Sequence, residues 1–142
     1  MSTKDIHSSI KAVSVLDPIA ISATATHTDI DLAGWEAAEL IIFAGLDAGT
    51  GLSSSHKLVF TLYDSPDGTT YTLCDDVDVL GVTVASGVIL TIDAVGEDNS
   101  IYQFGYVGGQ RYLQLIYTET GTVSMPLAIL VVKGNGQDKP AI

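Results

Sequence analysis

The chain has 142 residues, of which 46% are hydrophobic and only 16% charged, with a formal net charge of −11. That apolar fraction excludes a disordered chain, and one domain of this length buries roughly 70% of the surface its unfolded form exposes. The charge, from 17 acidic against 6 basic residues, repels phosphate and argues against nucleic acid and anionic membrane surfaces as partners.

A charged fraction below the ~25% of an ordinary soluble domain predicts that a neighbouring subunit covers part of the neutral surface. One cysteine, Cys74, excludes a disulfide-stapled scaffold. The opening MSTKDIHSS lacks the basic-then-apolar pattern of a signal peptide. No apolar run nears the ~20 residues of a membrane helix, so the chain reads as made in the cytoplasm and soluble.

Residues 1–9 are polar and read as an N-terminal arm. Residues 11–16 alternate and end at Asp17-Pro18; residues 19–30 alternate again with period two. Residues 38–44 form a compact apolar run in which Ile41, Ile42 and Phe43 favour a buried strand over a helical turn. The Gly- and Ser-rich stretch 45–56 reads as a surface loop. Residues 57–63 and 69–74 flank Asp64-Ser-Pro-Asp-Gly68, a turn in which proline presets φ and Gly68 supplies φ > 0; 57–74 is therefore a hairpin. Strands follow at 75–83 and 87–93. Residues 101–106 and 111–118 flank Gly108-Gly109, a second hairpin signal. Residues 123–132 close the domain, which spans 10–133, and 134–142 form a polar tail. No sustained helical period appears. Eight or nine strands at this spacing predict a single-domain, all-β antiparallel sandwich, jelly-roll-like, with polar arms at both ends.

The candidate chemistry is sparse. Cys74 sits beside Asp75 and Asp76, carboxylates that raise a thiol's pKa, so it reads as a packed structural thiol. No Gly-x-Ser-x-Gly elbow is present. Asp76 and Asp78 on one strand face, and the pair Asp29 and Asp31 after His27, lack the loop spacing of a calcium site and read as a solvated acidic face. His7, His27 and His56 lie too far apart for a zinc motif. Ten aromatics read as core rather than as a sugar platform. Gly49 and Gly51 lack the lysine of a phosphate loop. No catalytic residue, cofactor or metal is predicted. The single arginine, Arg111, opens the regular face of a strand that continues with Leu113, Leu115 and Tyr117; it reads as an ion pair that fixes a strand end or an interface.

Three stretches carry a resemblance. They are YVGGQRYLQL at 106–115, followed by TETGT at 118–122; FTLYDSPDGTTY at 60–71; and Ile30-Asp-Leu-Ala-Gly34 before an apolar strand. Over residues 10–133 the chain resembles small β-rich proteins of tailed-phage structural modules, several of which are head decoration (cement) proteins. The resemblance implies a non-enzymatic virion protein, made in the host cytoplasm, that binds the outside of the head and stabilises the shell. Its partners would be the major capsid protein and further copies of itself, with a trimer as the expected oligomer. The expected interface residues are Lys4, Ile6 and His7 in the first arm, Arg111, Lys133 and, in the tail, Lys139. The alternatives are a tail, neck or head-completion protein and, from another class, a carbohydrate-binding sandwich module.

Overall fold

Alternating side chains build ten strands in this computed structural model, which describes residues 5–21, 25–49 and 51–136, the side chains of 25–29 excepted. They are β1 (Ile10–Ile21), β2 (Ala25–Asp31), β3 (Trp35–Ala44), β4 (Lys57–Ser65), β5 (Thr72–Leu73), β6 (Val79–Leu80), β7 (Val88–Ile92), β8 (Ser100–Tyr106), β9 (Tyr112–Thr120) and β10 (Met125–Gly136). The described residues include no α-helix, only 3-10 turns at His7–Ser9 and Asp76–Asp78.

The first sheet has the order β1-β10-β3-β8-β6 and the second β2-β9-β4, with β5 and β7 both along the far side of β4. All pairs are antiparallel. The long strands nest: β1 pairs β10, β2 pairs β9, β3 pairs β8 and β4 pairs β7. One long hairpin rolled over itself gives this pattern, so the sandwich is a jelly roll, as its period-two sequence predicted.

Several local expectations are corrected by that nesting. Gly108 and Gly109 do not turn a hairpin, because β8 and β9 belong to different sheets. Gly108 is instead required by a close approach: a Cβ there would meet the Tyr106 ring and hydroxyl at 2.7–2.8 Å, and Gly109 takes φ +78°. The return strand of the 57–74 hairpin is only β5, two residues long. Residues 75–83 are mostly not a strand; Asp76–Asp78 form a 3-10 turn and only β6 pairs. Proline at 18 does not end β1. As an edge strand interrupted by bulges between Ser14 and Ile19, β1 carries Pro18 where a missing N–H costs no ladder bond. The described residues of 45–56 do form a surface loop, held to the body by buried Leu52 and by the Asp47 N–H, which donates to Asp98 Oδ2 at 2.8 Å.

The core lies between the sheets. Leu40 and Ile42 of β3 face Leu58, Phe60 and Leu62 of β4 and Leu115 of β9, all fully buried. Each such side chain contributes about 1.5–3 kcal/mol relative to exposure. One polar clasp crosses this core. The Tyr106 hydroxyl of β8 donates to Asp64 Oδ2 of β4 at 2.8 Å and accepts from the Gln110 N–H at 3.1 Å. Thr72 Oγ1 donates to Asp64 Oδ1 at 3.3 Å. Burial, then the bond to Asp64, pushes the Tyr106 hydroxyl well above the ordinary tyrosine range, so it remains a donor.

Tyr106→Phe removes the donor from a buried carboxylate and the acceptor from a backbone N–H. The expected cost is about 2–3 kcal/mol, read as a lower urea midpoint with an unchanged m-value. An unchanged midpoint would show that the clasp does not hold the sheets.

Candidate functional site

Antiparallel pairing of β2 with β9 sets Asp31 opposite Tyr112, one residue from Arg111. The guanidinium grips the carboxylate from both sides of its fork: Nε donates to Oδ1 at 2.9 Å and a terminal N–H donates to Oδ2 at 3.0 Å. Arg111 also lies 4.8 Å over the Tyr112 ring. Its bond lowers the Asp31 carboxyl from its ordinary 3.8 to about 2, against a smaller opposing effect of burial. The sequence offered Asp31 only as a partner of Asp29 in an acidic pair, and the side chains of His27 and Asp29 lie outside the described residues.

The pairing of β1 with β10 places Lys11 opposite Lys133 at the same end of the sandwich, and Asp31 interacts electrostatically with Lys133. Burial, more than repulsion from Lys11, draws Lys133 below the ordinary lysine range, and Asp31 offsets part of this. Arg111 and Lys133 therefore gather around one carboxylate, with Lys11 opposite Lys133, in a chain of net charge −11. The His7–Ser9 turn packs on β10 nearby, Ile6 is 68% exposed, and both Ile10 and Gly136 leave the sheet at this end. Of the expected interface residues, Ile6, His7, Arg111 and Lys133 thus share one end; Lys4 and Lys139 lie outside the described residues.

A second feature was not read from the sequence. The inner faces of both sheets are apolar, but the outer faces differ. The second sheet presents cross-strand rows Val59–Thr118, Thr61–Ile116 and Tyr63–Gln114, each pairing one polar residue with one apolar or aromatic residue. The first sheet presents rows Ala128–Phe43–Ile101, Leu130–Ile41–Gln103 and Val132–Glu39–Gly105, apolar on both sides with Glu39 as the only charge in these rows. Phe43 and Ile101 are 50% and 58% exposed.

Elsewhere the acids serve the backbone. Asp76 Oδ1 accepts from the Val84 N–H and Asp78 Oδ2 from the Asp75 N–H, so neither lies on a strand face as expected. Glu97 caps Asp93 and Ala94, and Asp67 caps Thr69 and Thr70. Among the described residues no three His, Cys, Asp or Glu side chains converge to hold a metal. Cys74 is buried, and burial, then the Asp64 and Asp78 carboxylates, pushes its thiol well above the ordinary range, away from nucleophilic use. His56 Nδ1 accepts from the Thr122 N–H at 2.9 Å. Of the aromatics, Phe43 alone is exposed; Trp35 is half-buried. No helix among the described residues is long and apolar enough to cross a membrane.

No family model matches the chain, and no curated protein does. Solved structures similar to it include the SPBc2 prophage-derived protein YomS, at 10% identity and TM-score 0.46, over 87% of this chain and 91% of that one. Another is the VP2 subviral particle of infectious bursal disease virus, at 17% identity and TM-score 0.40, over 93% of this chain and 34% of that one. A pectin-binding carbohydrate-binding module matches at 13% identity and TM-score 0.38, over 91% and 90%.

The Arg111 pair gives a pH test. Asp31 has a depressed folded-state pKa, so its contribution to stability is complete above about pH 4 and is lost as pH falls towards 2. In Arg111→Gln the Asp31 carboxyl, followed by NMR, is expected to titrate near its ordinary value. A midpoint that stays near 2 would assign the shift to other groups.

Proposed function

We propose that the chain is a non-catalytic phage virion protein that decorates the outside of the head and stabilises the shell. The observation that carries this reading is the polarity of the sandwich. One end gathers Arg111, Lys133 and Lys11, beside the acids Asp5, Asp31 and Glu36, with the exits of both terminal segments, and so carries far less negative charge than a body whose net charge is −11. Such an end lies on a shell surface by complementary charge and by extended terminal contacts, while the acidic remainder keeps DNA away. Many copies on a symmetric shell supply the avidity that one small contact lacks. The turn-and-strand resemblance over residues 10–133 supports the same class. Of the buried ionisable side chains described, Asp64, Tyr106 and Cys74 are taken up by the core clasp rather than by a cleft.

A carbohydrate-binding role finds less support, since stacking on sugars needs exposed flat rings and the only exposed aromatic, Phe43, lies among aliphatic neighbours.

The test is to add the purified full chain to heads that lack it and to image them by cryo-electron microscopy. Density on the outer shell, with binding reduced roughly tenfold by Lys11→Glu with Lys133→Glu and weakened by salt, is the expected result. Density in the tail, or none on the shell, would overturn it.

A further inference from the structure

The outer face of the first sheet has two ends of opposite shape. At one, Phe43 and Ile101 project as a ridge, more than half of neither being covered. At the other, small residues on neighbouring strands, Ala37, Gly105 and Gly134, floor an open groove of about 590 Å³ walled by Leu80 and Val132. Ridge and groove lie on the same strand, β3, six residues apart at Phe43 and Ala37, which is roughly 20 Å in a β-strand.

We propose that this face binds a second copy of the chain across a two-fold axis that crosses β3 midway between Glu39 and Ile41. The rotation lays Phe43 of each copy in the other's groove. It also gives partners to the polar groups of β3 and β8 on this face. The Glu39 carboxylate leans over Gly105 of β8, with Oε1 3.5 Å from where a Cβ of Gly105 would stand, and the adjacent row of β8 carries Gln103. The axis brings each Glu39 over the partner's Gln103, so an amide N–H donates to each carboxylate and neither enters the interface without a partner.

Two further observations select a second copy over an unlike partner. Copies with a net charge of −11 repel, and they meet at least cost where acids are fewest; this face carries Glu39 alone in its central rows. The size also fits. The 43 residues of the five strands, at about 3.3 Å by 4.8 Å each, give a face of roughly 680 Å² per copy, or about 1,360 Å² in all. Stable protein–protein interfaces bury roughly 1,200–2,000 Å². The inference rests on this sheet face and not on the virion reading.

Sedimentation equilibrium of the purified full chain tests it, with no heads present, so its outcome is separate from that of head binding. The expected mass is twice the 14.9 kDa of the chain. Phe43→Asp, at an exposed position, is expected to give the single-chain mass with an unchanged circular dichroism spectrum. Ala37→Cys together with Phe43→Cys is expected to form a disulfide-linked dimer on oxidation, while either change alone leaves single chains, since like positions stand far beyond the ~7 Å limit for a disulfide. A wild-type monomer or trimer, a folded Phe43→Asp dimer, or linkage by Phe43→Cys alone would overturn the proposal. So would a monomer whose head binding is abolished by Phe43→Asp, which would make this the shell-facing surface.

Discussion

The pairing of the first strand with the last dominates this molecule. Ile10 sits opposite Gly134, and every inner pair follows from that closure: β2 with β9, β3 with β8, β4 with β7. Each long strand therefore finds its partner at a large sequence separation, and the two sheets share a core that no local segment can bury alone. Such a topology folds slowly, because loop-closure entropy is lost before the contacts that repay it are made. It also fixes the functional geography. Rolling a hairpin brings both terminal segments to one end, and with them Lys11 and Lys133. The Tyr106–Asp64 clasp crosses from sheet to sheet at that same end.

The fold class was legible because period-two alternation survives in nearly every strand. The topology was not, because alternation says which face is inward and nothing about which strand lies alongside. Gly108-Gly109 shows the difference. Two glycines between apolar runs satisfy a hairpin rule, yet here Gly108 clears the Tyr106 ring and Gly109 takes a positive φ while the chain changes sheets. Asp76 and Asp78 show a second limit: spaced as strand-face residues, they sit in a 3-10 turn and accept from the backbone N–H groups of Val84 and Asp75. The site was legible in half. The ion pair of Arg111 was expected from its place at a strand mouth, but the choice of Asp31 among 17 acids depends on register. The apolar outer face did leave a signal. Residues 40–43 and 127–132 are apolar at consecutive positions, which in an antiparallel strand means that both faces are dry.

The strong negative charge takes on a structural meaning. Asp67, Asp76, Asp78, Glu97 and Glu119 each accept from backbone N–H groups in loops that sheet pairing leaves unsatisfied. A fold of ten strands has many such turns. Acidity here is largely a consequence of capping them, with the three clustered bases as the exception that sets one end of the body apart.

The borders of the first sheet limit how copies can join. One border is β1, whose ladder is broken by two bulges and carries Asp17 and Pro18; the other is β6, only two residues long. The broken ladder of β1 offers no straight row of open N–H and C=O groups, so strand-by-strand growth into a fibre is blocked at that margin, while β6 covers β8 only at Gly105 and Tyr106. Copies brought close together are thereby turned from that margin towards contacts through faces and ends, and contacts of this kind that close on themselves leave an assembly of defined number.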